Sequence, residues 1–154
     1  MNPKLIIGMG NPDRGDDALG PLAVRALADL NLPSIHIKER NGDGLALLED
    51  WRGYDDVLLI DAAAPMGNPG RIHRIDAIHD PLPAEFSKTS SHGFGILEAI
   101  QLARSLRSLP ARLIIYAVEG ENFFPGAAPS AVITKALPQL LTQIQRELQE
   151  TTHA

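Results

Sequence analysis

The sequence predicts an α/β protein of three layers, in which helices cover both faces of a mainly parallel sheet. Strand-like and helix-like segments alternate along the chain, as expected of repeated βα units. Two strand-like segments, Asp56 to Asp61 (DVLLID) and Arg112 to Val118 (RLIIYAV), have consecutive apolar residues, which is typical of central strands covered on both faces. The length of 154 residues predicts a single domain spanning residues 1–154.

The first half of the chain predicts a strand, a helix and an edge strand in turn. Lys4 to Met9 is a short apolar run closed by Gly10-Asn11-Pro12, which indicates a first strand. In the helix that follows, Pro21 fits near the start, where its missing N–H costs nothing. The apolar residues at roughly helical spacing are Leu22, Val24, Leu27 and Leu30. The alternation of Ile35 and Ile37 with polar residues predicts a half-exposed strand.

The second half predicts two more strands and two long helices. Arg71 to Asp76 (RIHRID) alternates polar and apolar residues, which favours a second edge strand beside the central ones. A helix is predicted from His92 or Gly93 to about Arg107, with Ser90 or Ser91 as its cap. After the last strand, a Gly- and Pro-rich loop leads to Ser130, which is the predicted cap of a long final helix.

Composition excludes several classes of protein. The 14 Lys and Arg residues against 19 Asp and Glu give a net charge of -5, which does not suit a general nucleic-acid binder. With 0 Cys, the chain has no disulfide framework, no thiolate zinc site and no Cys nucleophile. No run approaches the roughly 20 apolar residues of a membrane helix, and the N-terminus does not resemble a signal peptide. We therefore expect a cytoplasmic protein that binds neither nucleic acid nor membrane.

The first candidate site follows the first strand. Gly8, Gly10 and Gly20 permit a tight turn and a close backbone approach, with the carboxylates Asp16 and Asp17 between them. These carboxylates would repel a pyrophosphate, which disfavours a dinucleotide site. In the simpler interpretation, Asp16 or Asp17 caps the first helix, because its N-terminus stabilises a carboxylate.

Two further candidates follow in the sequence. Asp61 ends an apolar strand at the carboxyl edge of the sheet, where α/β proteins bind ligands, although it could equally be a solvated turn residue. His92 lies at the N-terminus of a predicted helix, whose dipole would keep the imidazole neutral and able to bind a metal, although taken alone it would more often be a capping or surface histidine.

Asp17, Asp61 and His92 gain weight as a set, because all three could converge on one edge of the sheet. Two carboxylates and an imidazole with open coordination positions suit a divalent metal such as nickel or zinc. Other catalytic patterns are missing, since the sequence contains neither HExxH nor G-x-S-x-G.

In this order, the motifs resemble those of the maturation endopeptidases of nickel–iron hydrogenases. That family has G-x-G-N, an acidic pair and A-x-G, then a D-G-G-T-x-G turn, a strand-end aspartate and S-x-H-x-x-G before a helix. The turn is matched in part by residues 39–44 and the Q-P-E-like segment after the last strand by Val118-Glu119-Gly120-Glu121, without its proline. The other matching residues are Gly8, Gly10, Asn11, Asp16, Asp17, Ala18, Gly20, Asp61, Ser90, His92 and Gly95.

The resemblance implies an α/β/α sandwich of the phosphorylase/hydrolase-like type, with a five-stranded mixed sheet whose antiparallel edge strand would be RIHRID. It implies a monomeric, aspartic-type endopeptidase that removes the C-terminal extension of a hydrogenase large-subunit precursor after nickel insertion. The nickel would be carried by the substrate, and Asp17, Asp61 and His92 would be both metal ligands and catalytic residues. Asp17 stands where the family usually has Glu, and Asp16 remains an alternative to it.

Two rival functions remain open at this point. A nickel-binding maturation chaperone would use the same three ligands without cutting the chain. A peptidyl-tRNA hydrolase also begins with a strand and G-x-G-N-P, but it needs an early catalytic histidine, and here the first histidine is His36. The acidic net charge also suits tRNA poorly.

Overall fold

The computed structural model describes residues 3–83 and 95–153, which are built around a five-stranded sheet. The strands are β1 (Lys4–Met9), β2 (Ile35–Arg40), β3 (Asp56–Ala63), β4 (Ile72–Asp76) and β5 (Arg112–Glu119). The helices are α1 (Leu19–Ala28), α2 (Leu45–Asp50), α3 (Ile96–Ser105) and α4 (Ala131–His153), and a 3₁₀ turn at Gly15–Ala18 leads into α1. None of the described helices is long and apolar enough to cross a membrane.

The sheet has the strand order β2-β1-β3-β5-β4, and β4 is the antiparallel member. The other four strands are parallel, with Leu5 of β1 opposite Val57 of β3. The predicted three-layer α/β fold with a mixed sheet is therefore confirmed. The chain goes outward from β1 to β2 and then returns to β3 on the other side of β1, so the direction of winding reverses between β1 and β3.

Two separate apolar cores cover the two faces of the sheet, because neighbouring residues on a strand point to opposite faces. On β3, Val57 and Leu59 pack in the core that includes α2 and α3, whereas Leu58 and Ile60 pack in the core that includes α1 and α4. This two-sided burial explains why the β3 sequence is continuously apolar. The same alternation places Asp61 on the α2 and α3 side of the sheet.

The helix before β5 starts later than the sequence predicts. α3 begins at Ile96, and its N-cap is Gly95, whose N–H donates to Oε2 of Glu98 at 3.0 Å. The predicted cap by Ser90 or Ser91 is therefore wrong, because the glutamate in the first turn satisfies the free backbone donor. Ser90 and Ser91 themselves lie outside the described residues.

A buried ion-pair network fastens the last helix to the sheet. Glu147 of α4 is 5% exposed and accepts hydrogen bonds from Arg74 Nε at 2.5 Å, from Tyr116 Oη at 2.7 Å and from Arg112. The hydrogen bonds from Arg74 dominate and, against the effect of burial, lower the pKa of Glu147 from 4.5 to about 2. The carboxylate thus stabilises the folded chain only while it is charged.

We expect this network to make stability depend on pH in acid. Because the pKa of Glu147 is lower in the folded chain than the usual 4.5, its contribution is complete above pH 4.5 and is lost as the pH falls towards 2. The shift corresponds to about 3 kcal/mol at most. Urea unfolding between pH 7 and pH 3 should therefore show a steeper loss of stability for the wild type than for Glu147→Gln. The variant should already be weaker at pH 7, because two arginines lose their partner. Parallel stability curves would contradict this role of Glu147.

Candidate functional site

The candidate site lies where the winding of the sheet reverses, at the carboxyl ends of β1 and β3. Ligands of open α/β sheets bind in the crevice at such a reversal, because the connections leave the two strand ends in opposite directions. The segment after β1 carries Asp17, and β3 carries Asp61 near its end. The topology therefore brings two predicted site residues to one place, although they are far apart in the sequence.

The glycines of the first motif let the 3₁₀ turn and α1 pack directly on β1 and β3. A Cβ atom at Gly20 would lie 2.1 Å from the carbonyl oxygen of Met9, and one at Gly8 would lie 2.4 Å from that of Gly20. Gly10 has a φ of +132°, and a Cβ there would lie 2.0 Å from the carbonyl oxygen of Asp17. No larger residue fits these positions without moving backbone, so the motif fixes where Asp17 stands.

Asp17 and Asp61 are held by backbone donors beside the crevice. Asp17 is 9% exposed, and its Oδ2 accepts the N–H of Asn11 at 2.8 Å. Asp61 is half-buried, and its Oδ1 accepts the N–H of Ala62 at 2.9 Å. The hydrogen bond to Asn11 ties Asp17 to the turn that leaves β1.

The two carboxylates influence each other electrostatically. Burial raises the pKa of Asp61 well above its usual value, and the nearby negative charge of Asp17 raises it further. Within residues 3–83 and 95–153, the N–H of Ala62 opposes this rise in pKa, because it donates a hydrogen bond to the Asp61 carboxylate. Two neighbouring carboxylates that repel each other form an environment in which a cation would be bound favourably.

His92, the third predicted ligand, lies outside the described residues. Over the described ranges, no group of three His, Cys, Asp or Glu side chains is arranged to hold a metal ion. The structure thus brings Asp17 and Asp61 together, and the part of the prediction that concerns His92 remains a prediction.

Asp16 has a structural role that differs from the predicted one. Neither the 3₁₀ turn nor α1 has a side-chain cap, so the interpretation of Asp16 as the cap of the first helix is wrong. Its fully buried carboxylate instead accepts the backbone N–H groups of Glu121, Asn122 and Ser130 at 2.7, 2.9 and 2.6 Å, and the Ser130 hydroxyl at 2.8 Å. Burial alone would raise the pKa of Asp16, but these hydrogen bonds outweigh it and lower the pKa. Asp16 therefore fastens the loop between β5 and α4 to the turn that carries Asp17.

Glu119 is a second anchoring carboxylate, a role that was not predicted from the sequence. It is 1% exposed, its Oε1 accepts the N–H groups of Met66 and Asn68 at 2.9 Å each, and its Oε2 lies 2.7 Å from Nε2 of His73. Burial would raise the pKa of Glu119, but the contacts with His73, Asn68 and Met66 lower it. The signal in the sequence was a charged residue that ends the apolar strand β5, as Asp61 nearly ends β3.

The carboxylates of Asp16, Asp17, Asp61 and Glu119 therefore divide into two kinds. Asp16 and Glu119 have lowered pKa values and are surrounded by donors, so they hold loops in place. Asp61, next to Asp17, has a raised pKa, and among the described residues its donor is the N–H of Ala62. Strong perturbation of a carboxyl group in a crevice is typical of functional sites, which favours Asp17 and Asp61 as the pair that binds or reacts.

Comparison with known proteins identifies a family with the same architecture. Residues 42–147 match the family model described as hydrogenase maturation protease, HycI. The chain is also 28% identical, over 117 residues, to the hydrogenase expression/formation protein HupD of Thiocapsa roseopersicina. That match covers 75% of this chain and 53% of HupD, so the chain spans about half the length of this curated relative.

Solved structures of such proteins share the fold. The hydrogenase maturating endopeptidase HybD from E. coli superposes with a TM-score of 0.82 at 24% identity, over 97% of this chain and 93% of that one. The [NiFe] hydrogenase maturation protease HycI from Thermococcus kodakarensis gives a TM-score of 0.72 at 21% identity, over 96% of this chain and 93% of that one. These likenesses support the α/β fold described above.

Proposed function

Because this chain belongs to the hydrogenase maturation protease family, we propose that it is an endopeptidase that removes the C-terminal extension of a nickel-loaded hydrogenase large-subunit precursor. It would act as a monomer in the cytoplasm. The observation that carries the proposal is the pairing of Asp17 and Asp61 at the reversal between β1 and β3, in a chain of this family.

The nickel belongs to the substrate in this proposal. Asp17, Asp61 and His92 would bind it while the precursor is docked, supplying two carboxylate oxygens and one imidazole nitrogen. A permanent structural metal site is normally closed by four protein ligands, so three ligands with open positions suit a transient contact better. The charge of the metal would relieve the repulsion between Asp17 and Asp61 only in the complex.

Amide hydrolysis requires a polarised carbonyl group and an activated water molecule. A divalent metal supplies both, because it withdraws electrons from the carbonyl oxygen and lowers the pKa of bound water. In this proposal, the carboxylate of Asp61 would accept a proton from such a water molecule. The backbone donors from Asn11 and Ala62 would keep the two carboxylates in position during this step.

The proposal is tested by incubating the purified protein with nickel-loaded precursor and measuring the mass of the large subunit. An endopeptidase shortens the chain by one C-terminal peptide, and the peptide appears in the same spectrum. A nickel-binding chaperone would bind the precursor and leave its mass unchanged, which would overturn the proposal.

A further inference from the structure

Two loops beside the site are fastened into one unit. The N–H of Gly15 donates to the carbonyl of Ala127 at 3.0 Å, and the N–H of Gly126 donates to that of Asp13 at 2.7 Å. The N–H of Asp16 donates to the carbonyl of Asn122 at 2.7 Å, in addition to the four bonds that the Asp16 carboxylate accepts from this loop. We call residues 11–16 together with residues 120–130 the double loop.

The packing within the double loop leaves little freedom. A Cβ atom at Gly15 would lie 2.3 Å from the carbonyl oxygen of Asn122, and one at Gly120 would lie 2.5 Å from the ring of Phe123. Nε of Arg14 donates to the carbonyl of Phe123 at 3.0 Å, and the N–H of Phe124 donates to Oδ1 of Asn122 at 3.0 Å. The peptide bond before Phe124 is therefore held at both its C=O and its N–H, and the carbonyl of Phe124 in turn accepts the N–H of Ala127 at 3.1 Å.

Phe124 nevertheless points its side chain into solvent. It is 74% exposed, which makes it the most exposed of the large apolar side chains in the described ranges; the others are Leu30, Leu45 and Leu106. Leu30 and Leu106 follow α1 and α3, at the opposite end of the strands, and Leu45 begins α2 after the outer strand β2. Phe124 is the one that stands on a loop bonded directly to the turn carrying Asp17.

We propose that Phe124, displayed on the double loop, is a specificity-determining contact that inserts into an apolar recess of the folded precursor beside its nickel site. This inference rests on the proposed function. An exposed aromatic ring on a backbone that is already ordered binds with little further entropic cost, and such rings commonly dominate protein interfaces. The double loop adjoins Asp17, one of the residues that would hold the nickel, so a precursor bound there would also meet the surface of the double loop.

The charged side chains of the double loop specify the partner further. Asp13 and Glu121 are exposed, whereas Arg14 is half-buried and its Nε is bonded to the carbonyl of Phe123. A recess that receives Phe124 should therefore be apolar inside and carry Lys or Arg at its rim, since complementary charges across an interface speed association and exclude wrong partners.

The test compares Phe124→Ala with Leu30→Ala, which removes an exposed apolar side chain at the opposite end of the strands. Initial rates of cleavage are measured over a range of concentrations of nickel-loaded precursor, and both variants are checked for an unchanged thermal unfolding midpoint. For Phe124→Ala we expect KM to rise at least about tenfold with kcat within about twofold, whereas Leu30→Ala should match the wild type. Phe124→Leu should recover most of the loss, because a large apolar side chain still fills the recess.

An unchanged KM for Phe124→Ala, with the wild type active, would overturn this inference and leave the proposed function standing. Equal losses in Phe124→Ala and Leu30→Ala would also overturn it, because they would indicate a general effect of apolar surface. Failure of the wild type to cut the loaded precursor is a different outcome, which contradicts the proposed function itself.

Discussion

Asp61→Asn is expected to abolish cleavage of the nickel-loaded precursor, with a loss of at least about 100-fold in kcat/KM, while the chain stays folded. Asparagine has nearly the same shape but no charge, so it would be a poor metal ligand and could not accept a proton from water. The fold should not suffer, because burial and the charge of Asp17 both oppose the charged form of Asp61. We expect His92→Ala to cause a loss of similar size, since it would remove the third ligand.

The matched control for this variant is Asp56→Asn, the same substitution on the same strand. Asp56 lies at the opposite end of β3, where it pairs with Arg112 at 3.4 Å. Asp56→Asn should cost little stability, because a partly exposed ion pair contributes at most about 1 kcal/mol. The substitution should also leave cleavage unchanged. Cleavage at close to the wild-type rate by Asp61→Asn or by His92→Ala would remove that residue from the site.

The adjacent aspartates Asp16 and Asp17 are expected to respond in opposite ways to alanine substitution. Asp16→Ala would leave the N–H groups of Glu121, Asn122 and Ser130 without their acceptor, and it should lower the free energy of unfolding by about 3 kcal/mol or more. Asp17→Ala removes the hydrogen bond from Asn11 but also a repulsion on Asp61, so it should lower the free energy of unfolding less than Asp16→Ala does. Cleavage, in contrast, should stop in Asp17→Ala.

Urea unfolding and cleavage of loaded precursor, measured on both variants, separate these roles. The cleavage assay is run at a temperature and urea concentration where each variant is folded, so that loss of activity does not merely report unfolding. A stable, inactive Asp16→Ala beside an active Asp17→Ala would show that the assignment within the pair has to be reversed.

The fold could be predicted from the sequence because the burial of each strand determines how its apolar residues are spaced. The two-sided burial of β3 and β5 appears as continuous apolar runs, and the exposed edge position of β4 appears as the alternation in RIHRID. The helix start at Ile96 was missed, because a glycine N-cap with Glu98 in the first turn competes with the more common serine cap.

The candidate site could be predicted only in part, for a physical reason. The closeness of Asp17 and Asp61 could be predicted, because β1 and β3 are parallel and their carboxyl ends share one edge of the sheet. The partners of Asp16 lie more than 100 positions further along the chain, at Glu121, Asn122 and Ser130, so a local rule offers only the nearest helix as its cap. The anchoring role of Glu119 depends in the same way on β4 and on the loop before it.

The central claim is that nickel in the substrate licenses cleavage, and parallel digestion of three substrates tests it most directly. Nickel-loaded precursor, apo-precursor and a generic unfolded protein are incubated with the wild type without free metal, and the products are measured by mass. Binding energy from the nickel is available only with the loaded substrate, so it acts as a selectivity check. We expect the loaded precursor to be cut at one position, and the apo-precursor and the unfolded protein to remain intact. Equal cutting of the loaded and apo forms would contradict the account.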